Sequence, residues 1–277
     1  MYFPERLADT LLDEDVPHGD LTTHLLGIGD RPARMDFTLR RDGVVCGTEL
    51  ALALVRRAGA EGAVLSPTGA RVPAGGALLR AQGSAGAILA AWKVAQTAVE
   101  YLSGIATATA AIVDAARAVA PGIAVVTTRK TFPGTKRLMI PAIRAGGAEP
   151  HRLGLSETVL VFPEHRVFLD DPVAALVALR RAAPEKKVVV EITSREEAER
   201  FAPAAPDILQ CEKMSPEAVA DLVAALRARG AASLVAVAGG VVAANAAAYA
   251  ATGADILVTS APYSAAPADV RVEIRPA

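Results

Sequence analysis

Beyond Gly122, short apolar runs alternate with longer segments in which apolar residues recur at helical spacing. Runs rich in β-branched residues predict six strands, at 123–128, 158–162, 188–192, 207–212, 233–240 and 255–260. The segments between several of them predict helices at 171–182, 195–201, 216–229 and 243–252. Strands that alternate with helices form a parallel sheet, and six of them favour a barrel. A doubly wound open sheet is the alternative, although no strand is followed by the G-x-G-x-x-G sequence of dinucleotide-binding sheets.

The first hundred residues mix segment types and predict a separate α+β unit. Three patterns occur there in chain order: an amphipathic start with Leu7, Leu11 and Leu12, an extended alternation at 34–45, and helical spacing at 49–58. We expect this unit to be completed by the C-terminal tail.

Two further patterns bear on this first unit. Apolar residues recur at helical spacing from 85 to 120, and the pair Ser103-Gly104 that interrupts them predicts two helices. The tail VRVEIRPA alternates like an edge strand, and we expect it to return to the first unit.

The composition limits the classes of function. The chain has 277 residues with 29 Lys and Arg against 30 Asp and Glu, so the net charge of −1 gives no overall attraction to nucleic acid or anionic membrane. Its two cysteines, Cys46 and Cys211, have no metal-ligand spacing, and we expect both in the core. Because no apolar run reaches about 18 residues and the start lacks the pattern of a signal peptide, we expect a cytoplasmic protein.

Positive charge is concentrated in one place, the segment VTTRKTFPGTKR at 126–137. Arg129 and Lys130 follow a predicted strand directly, and the residues after barrel strands share the rim where barrel enzymes keep their chemistry. An ordinary solvated loop pair is the alternative. Lys136 and Arg137 are weaker candidates, because charges on a helix after such a loop usually face water.

Other polar residues fall at the same predicted rim, each with a structural alternative. Glycines in the segment RAGGAEPHR at 144–152 suggest a backbone close to a ligand, beside His151 and Arg152. His165 fits a buried structural histidine as well as an active one. The remaining rim candidates are Glu164, Glu191, Glu212, Lys213, Gly239, Gly240 and Ser260.

Two features favour a functional interpretation of this rim. A buried carboxylate such as Glu191 is costly unless it is paired or used, and the same holds for Glu212. Gly239 and Gly240 permit close packing, yet backbone amides at this barrel position commonly bind phosphate. The set indicates a multiply anionic substrate, whereas no nucleophile with an adjacent base, zinc spacing or Walker sequence occurs.

Motifs along nearly the whole chain resemble nicotinate-nucleotide pyrophosphorylase, that is, quinolinate phosphoribosyltransferase, and resemble still more closely the paralogous ModD proteins associated with molybdenum transport. They are LSGIATAT (102–109), TTRKTFPGTK (127–136), GG followed by HRLGLSE (146–157), VVVEI (188–192), CEKMSPEAV (211–219), VAGGV (237–241) and TGADILVTSA (252–261). The resemblance implies an open-faced α+β sandwich domain (1–103 with 264–277), an incomplete, TIM-like α/β barrel (104–263), and a homodimer in which one subunit's sandwich covers the other's barrel mouth.

The resemblance also implies roles. It gives Lys130, Glu191 and Glu212 as catalytic candidates, with Mg²⁺ held by the two carboxylates directly or through water. The substrates would be phosphoribosyl pyrophosphate and a nitrogen heterocycle. Residues expected to bind the heterocyclic substrate are Lys93, Arg129, His151, Arg152 and Phe162, and those expected to bind phosphate are Gly239, Gly240 and Ser260.

Departures from the quinolinate enzymes fall in the acceptor half of the expected site. Phe162 stands where those enzymes carry a lysine, and Lys93 where an arginine is expected. Glu212-Lys213 replaces Asp-Asn, and 148–150 departs from the residues that usually precede HR. Lost charge-assisted contacts of about 1.5–3 kcal/mol each would weaken quinolinate binding by orders of magnitude.

Three functions therefore stand as hypotheses. The leading one is a ModD-type phosphoribosyltransferase with an acceptor other than quinolinate. A quinolinate phosphoribosyltransferase of NAD biosynthesis, with a rearranged acid pocket, is the second. The third is a non-catalytic protein that binds an oxyanion such as molybdate, which the retained Glu191 and Glu212 disfavour because carboxylates repel an anion.

Overall fold

The computed structural model describes residues 5–277 and divides the chain into two compact units. The first unit extends to Ala110 and includes Pro133–Gly146 and Ser264–Ala277, whereas the second comprises Ala111–Phe132 and Gly147–Tyr263. The boundary expected from the sequence, after residue 103, and the boundary at Ala110 fall within one helix.

The first unit contains an antiparallel sheet and a small two-stranded ribbon. Its elements in chain order are α1 (Glu5–Asp15), α2 (Leu21–Leu26), β1 (Pro32–Leu39), β2 (Gly43–Val44), α3 (Thr48–Arg57), β3 (Glu61–Val64), β4 (Arg71–Val72), β5 (Ala77–Ser84), most of α4 (Ala85–Arg117), α5 (Lys136–Ala145) and the final strand β13 (Val270–Pro276). The four-stranded sheet has the order β13-β1-β5-β3, and β2 pairs with β4.

The alternation of β1 accounts for the core of this sheet. Met35, Phe37 and Leu39 are buried on one face, and α3 packs against β3 and β5. The predicted helix at 49–58 is thus confirmed as α3, while the extended alternation at 34–45 forms two strands with a turn between them. The tail is confirmed as an edge strand, since β13 pairs antiparallel with β1 from Leu39 opposite Val270 to Ala33 opposite Pro276.

The prediction of two helices between 85 and 120 is wrong, because α4 runs unbroken for 33 residues. Ser103 Oγ accepts a hydrogen bond from the Cys46 N–H at 3.0 Å, so this polar residue faces a neighbouring segment. A β-carbon on Gly104 would lie 2.2 Å from the Ala266 carbonyl oxygen. The pair therefore permits close packing against the helix and does not break it.

The second unit is a parallel seven-stranded sheet. Its strands are β6 (Ala124–Thr127), β7 (Glu149–Pro150), β8 (Val159–Val161), β9 (Val188–Ile192), β10 (Ile208–Glu212), β11 (Leu234–Ala238) and β12 (Ile256–Thr259). Its helices are α6 (Pro163–Arg166), α7 (Pro172–Ala182), α8 (Arg195–Phe201), α9 (Pro216–Ala228) and α10 (Ala243–Ala250). All six predicted strands and all four predicted helices are confirmed, and the two-residue β7 is additional.

The order of the strands identifies an incomplete barrel. Along the sheet it is β7-β6-β12-β11-β10-β9-β8, so the last strand of the unit, β12, pairs with the first, β6. A sheet in which the last strand pairs with the first curls towards a barrel. Pairing of β7 with β8, the two end strands, would close this barrel, and that pairing is absent among the described residues. The doubly wound alternative is therefore wrong, whereas the expected incomplete α/β barrel is confirmed.

Side-chain caps fix where the helices of this barrel begin. Asp171 accepts the N–H groups of Val173 and Ala174 at the start of α7. Ser194 and Ser215 each accept one N–H group, three residues further on, at the starts of α8 and α9. Both cysteines are confirmed in the core. Within residues 5–277, no helix combines the length and the apolar character needed to cross a bilayer.

Candidate functional site

A cavity of about 610 Å³ opens at the carboxyl ends of the barrel strands, entirely within the second unit. Every strand of the sheet, or the loop that follows it, contributes to its wall. The lining residues are Thr128, Arg129, Lys130, His151, Arg152, Leu160, Phe162, Glu164, Glu191, Gln210, Glu212, Lys213, Ala238, Gly239, Gly240, Val258 and Ser260. The cavity therefore brings together all the predicted catalytic, substrate-binding and phosphate-binding residues except Lys93, whereas the rim candidate His165 and the weaker candidates Lys136 and Arg137 do not line it.

Lys93 lies on α4 in the first unit and does not line this cavity. Its ammonium nitrogen lies 4.2 Å from the centroid of the Trp92 ring and 3.2 Å from Gln96 Oε1. The side chain is exposed. Its role in substrate binding stays a prediction.

Cations enter the cavity from the ends of β6 and β7. Arg129 and Lys130 are exposed, but Arg152 is 93% buried and its Nη1 donates to the Thr158 carbonyl at 3.1 Å. Burial lowers the pKa of Arg152, and the nearby charge of Arg129 lowers it further. An anion placed between these guanidinium groups would offset their repulsion and accept their N–H groups.

His151 is half-buried beside this cationic pair. Its backbone N–H donates to the Thr127 carbonyl at 2.9 Å, which extends the pairing of β6 with β7. Burial lowers the pKa of His151, and the charge of Arg152 adds to that shift. The lowered pKa favours the neutral imidazole at neutral pH, the form that presents one donor and one acceptor.

The glycines before His151 pack against α4, so the expectation that they fold close to a ligand is wrong. A β-carbon on Gly146 would lie 2.4 Å from Thr109 Cβ and 2.5 Å from the Ala106 carbonyl oxygen. Gly147 has a φ of +89°, a conformation that side chains disfavour. These glycines shape the approach of the chain to β7 through helix contacts.

Carboxylates come from the neighbouring strands β9 and β10. Glu191 is 91% buried within β9, and Glu212 is the last residue of β10. Burial raises the pKa of Glu191, and the charge of Glu212 raises it further. Gln210 opposes this shift, since its Nε2 donates to Glu191 Oε2 at 3.0 Å.

Sequence reasoning missed Gln210. Its side chain is 96% buried and lines the cavity, yet its Oε1 has no hydrogen-bond partner among the described residues. The strand period offered a signal, because Gln210 and Glu212 are two residues apart and lie on the same face of β10. A polar residue two positions before a predicted rim carboxylate was thus a candidate.

The loop after β11 carries the predicted phosphate-binding glycines. Gly239 and Gly240 have φ values of +85° and +103°. Asn245 holds this loop to the start of α10, because its Oδ1 accepts the Val242 N–H at 2.8 Å and its Nδ2 donates to the Gly240 carbonyl at 3.0 Å. Ser260 follows β12 and is half-buried at the same rim.

Phe162 brings an aromatic ring to the wall after β8. Its ring stacks on the His165 imidazole with centroids 5.7 Å apart, and its N–H donates to His165 Nδ1 at 3.0 Å. His165 is exposed, so the reading of it as a buried structural histidine is wrong. Because Nδ1 accepts this backbone hydrogen bond, the proton of a neutral His165 lies on Nε2.

The cavity offers carboxylate oxygens that could bind a divalent metal. Residues 5–277 contain no group of three or more His, Cys, Asp or Glu side chains placed to hold a metal ion. Mg²⁺ usually binds one or two carboxylates together with substrate phosphates and water. The pair Glu191 and Glu212 fits that mode, in which the metal arrives with a phosphate-bearing substrate.

Two protein-family models match the chain. The C-terminal domain of quinolinate phosphoribosyl transferase matches residues 105–273, and the N-terminal domain matches residues 20–103. Together they cover most of the sequence and meet within α4.

Curated relatives fall into two named groups. A Rhodobacter capsulatus protein that carries the name pyrophosphorylase ModD is 45% identical over 241 residues, covering 86% of this chain and 92% of its own. A Pasteurella multocida protein of the same name is 39% identical over 253 residues, with 90% of each chain covered. The carboxylating nicotinate-nucleotide pyrophosphorylase of Mycobacterium leprae is 34% identical over 246 residues, covering 87% and 86%.

Solved structures match the chain over nearly its whole length. The nicotinate-nucleotide pyrophosphorylase of Francisella tularensis matches with a TM-score of 0.90 at 25% identity, covering 99% of this chain and 98% of its own. The NadC structure from Streptococcus pyogenes matches with a TM-score of 0.90 at 26% identity, covering 100% and 99%.

Proposed function

Because the chain belongs to the quinolinate phosphoribosyl transferase family of pentosyltransferases, we propose that it is a ModD-type phosphoribosyltransferase of the cytoplasm. The proposed enzyme transfers the phosphoribosyl group of phosphoribosyl pyrophosphate to a nitrogen heterocycle other than quinolinate. One observation carries this proposal. A single cavity combines the cations after β6 and β7, the carboxylates of β9 and β10, and the glycine pair after β11.

The proposed reaction exchanges one bond at ribose C1. The lone pair of a ring nitrogen forms the new C–N bond, the C–O bond to pyrophosphate breaks, and its electron pair leaves with pyrophosphate. Positive charge develops at the ribose, where Glu191 and Glu212 stabilise it. Arg129, Lys130 and Arg152 hold the anionic heterocycle in line for attack.

Phosphate recognition belongs to the glycine side of the cavity. Backbone N–H groups of the loop that contains Gly239 and Gly240 would hold the phosphate of the phosphoribosyl group, together with Ser260. Mg²⁺ held by Glu191 and Glu212, directly or through water, would neutralise charge on the leaving pyrophosphate. The similarity to the ModD proteins also leads us to propose a link to molybdenum transport, which is tested by measuring whether molybdate binds this protein.

Phe162 supports an acceptor other than quinolinate. An aromatic ring can pack against a heterocycle but cannot pair with a carboxylate, so the wall after β8 lacks the cation expected in the quinolinate enzymes. His151, half-buried after β7, contributes little positive charge to the cavity at neutral pH, because burial lowers its pKa. A heterocycle with one anionic group suits this wall better than a dicarboxylate.

We further propose a homodimer in which each cavity receives Lys93 from the partner subunit. Lys93 is exposed on α4, where a partner subunit can reach it, which supports this arrangement. Mixing inactive Lys93→Ala and Glu191→Gln chains tests it. Shared sites predict about a quarter of the wild-type activity in the mixture, whereas unshared sites predict none.

The deciding experiment measures pyrophosphate release from phosphoribosyl pyrophosphate and Mg²⁺ with a panel of pyridine, pyrimidine and purine acceptors. Release is expected with a heterocycle other than quinolinate and is lost in Lys130→Ala and Glu191→Gln. Matched controls are Lys186→Ala and Glu185→Gln. Both residues are exposed and precede β9, so they lie at the amino ends of the strands, whereas the cavity lies at the carboxyl ends. Unchanged binding of phosphoribosyl pyrophosphate in both site variants would refute the proposal.

A second candidate, quinolinate phosphoribosyltransferase, is favoured by the similarity to the carboxylating enzyme of Mycobacterium leprae. The same panel separates the two. Formation of nicotinate mononucleotide and carbon dioxide from quinolinate would establish the second candidate, while turnover confined to another acceptor would exclude it.

A further inference from the structure

Lys213 has a backbone conformation that side chains disfavour. It follows β10 directly and has a φ of +56°. Among the non-glycine residues of 5–277, only Ala205 shares a positive φ. The left-handed region costs stability for a residue with a long side chain, whereas glycine and asparagine tolerate it. Such a conformation persists where the surrounding structure or the function requires it.

The backbone contacts of Lys213 explain the turn but not the side chain. The Lys213 N–H donates to the Ala238 carbonyl at 2.9 Å and so ties the loop after β10 to the end of β11. Every residue except proline can supply that N–H. At Gly239 and Gly240, which also have positive φ, the chain uses glycine. A lysine at position 213 therefore needs a reason that the turn itself does not give.

The stem of Lys213 lies against the glycine loop after β11. A β-carbon on Gly239 would be 2.6 Å from Lys213 Cγ, so the lysine occupies space that a side chain at 239 would need. The ammonium group lies two methylene groups beyond Cγ on a flexible stem. Lys213 is exposed and lines the cavity. The absence of a side chain at 239 thus lets a cation approach the loop proposed to bind phosphate.

Negative charge already lies beside this loop. The same β-carbon on Gly239 would be 2.8 Å from Glu212 Oε1. A phosphate bound at the loop would be repelled by that carboxylate unless a cation offset the repulsion. The Lys213 ammonium forms no ion pair with any other residue of 5–277, including Glu212 next to it. Its positive charge is therefore not consumed by a neighbouring side chain.

The strand order separates Lys213 from the other cations of the cavity. Strand β10, which Lys213 follows, is the direct neighbour of β11, whereas β12 lies between β11 and β6. Arg129 and Lys130 follow β6, and the proposed function assigns them to the acceptor. Lys213 is thus the cation on the strand adjacent to the glycine loop.

We propose that Lys213 binds the phosphate of the phosphoribosyl group, together with the backbone N–H groups of the loop that contains Gly239 and Gly240. This inference rests on the proposed phosphoribosyl transfer and adds a cation to its phosphate site. The disfavoured backbone conformation is then maintained for binding. Lysine at this position costs stability and strengthens the affinity for phosphate.

Calorimetry on the full chain with Mg²⁺ tests the proposal, with ribose 5-phosphate as the probe and pyrophosphate as the comparison. Lys213→Asn should weaken ribose 5-phosphate binding by about 10- to 100-fold, the value of one charge-assisted contact. Pyrophosphate binding should stay within about twofold. Lys213→Arg, which keeps the positive charge, should retain most of the affinity for ribose 5-phosphate.

Urea denaturation separates a binding role from a structural one. Lys213→Asn should be at least as stable as the unmodified protein, because asparagine tolerates a positive φ. A lysine that served only the fold would give the opposite result, a loss of stability. Lys213→Gly provides a second variant if Lys213→Asn does not fold.

Two controls match the charge and the conformation separately. Lys186→Asn makes the same substitution at an exposed position before β9 and should leave both affinities unchanged. Ala205→Gly relieves the other positive φ at an exposed position that does not line the cavity. It should raise stability without changing either affinity.

Three results would overturn the proposal. Ribose 5-phosphate could fail to bind the unmodified protein or bind Lys213→Asn equally well. Pyrophosphate could lose at least as much affinity, which would assign Lys213 to the leaving group. Finally, Lys213→Asn could lose stability together with affinity, without recovery in Lys213→Arg.

Failure of the proposed transfer is recognised separately. Pyrophosphate release with the acceptor panel is measured on the same protein. Binding of ribose 5-phosphate that depends on Lys213, without release of pyrophosphate with any acceptor, would refute the transfer reaction and leave this assignment standing.

Discussion

Gly239 lies so close to Lys213 that a β-carbon on residue 239 would be 2.6 Å from Lys213 Cγ. The same β-carbon would be 2.8 Å from Glu212 Oε1 and 2.8 Å from the Lys213 backbone nitrogen. The contact is reinforced by the Lys213 N–H, which donates to the Ala238 carbonyl at 2.9 Å. The loops after β10 and β11 thus hold each other, and with them the position of Glu212.

Gly239→Ala should displace Glu212 and weaken phosphoribosyl pyrophosphate binding more than Gly240→Ala does. Both positions have positive φ and share a backbone cost of about 1–3 kcal/mol, but a β-carbon on Gly240 meets nothing within 4 Å. Calorimetry of phosphoribosyl pyrophosphate binding and chemical denaturation of both variants separate the effect of the β-carbon contact at residue 239 from the backbone strain that the two positions share. Equal effects of the two substitutions would contradict the contact as the cause.

Glu191→Gln should lower the transfer rate by about 10²–10³ and at the same time stabilise the protein at neutral pH. The folded state holds the Glu191 proton more tightly than the unfolded state, because burial and Glu212 raise its pKa. Stability therefore falls as pH rises through the window between the ordinary glutamate pKa and the raised one. Glutamine removes this loss.

Urea denaturation across that pH window tests whether the contribution of Glu191 to stability falls as pH rises. The variant should gain stability over the wild type as pH rises, and the two should converge below the ordinary glutamate pKa. Glu185→Gln, at an exposed site, controls for the loss of one negative charge. In activity, the acidic limb of the wild-type kcat/KM profile should lie above the ordinary glutamate pKa, as expected when ionised Glu191 is required.

Arg152→Met should raise the pKa of His151 towards its ordinary value. Two causes lower that pKa, burial and then the charge of Arg152, and the substitution removes the second. NMR titration of the His151 Cε1 proton measures the shift directly. Arg144→Met, a cation on α5 in the other unit, serves as the control, and an unchanged His151 pKa in Arg152→Met would refute the coupling.

Phe162→Lys should strengthen quinolinate binding by about 10- to 100-fold, the value of one added charge-assisted contact. The new ammonium would enter the wall after β8, in the same cavity as the cations after β6 and β7. Phe162→Leu removes the stacking on His165 without adding charge and should give no gain. Calorimetric affinities for quinolinate compare the three proteins.

Much of the barrel could be predicted because buried parallel strands are short apolar runs and their ends share one rim. That reasoning located Arg129, Glu191 and Gly239 before any contact was known. It passed over Gln210, although the strand period places Gln210 on the same face as Glu212, because an amide inside an apolar run does not reveal its hydrogen-bond partner. Strand β7 has two residues and no periodicity to detect.

Other differences arise from contacts distant in sequence. Ser103-Gly104 has the composition of a helix break. Instead, Ser103 accepts a hydrogen bond from residue 46, and Gly104, which lacks a side chain, lets residue 266 pack against the helix. The glycines at 146 and 147 similarly serve packing against α4. Local propensity describes what a segment can do alone, and tertiary packing decides between its options.

The missing pair in the barrel leaves β7 and β8 as the two open edges of the sheet, and they are its shortest strands, with two and three residues. An exposed edge can recruit a strand from another molecule and start fibrillar aggregation. Two- and three-residue edges provide few backbone groups for such pairing, and Pro150 on β7 has no N–H to contribute. The barrel can thus remain open without becoming a template for strand-by-strand aggregation.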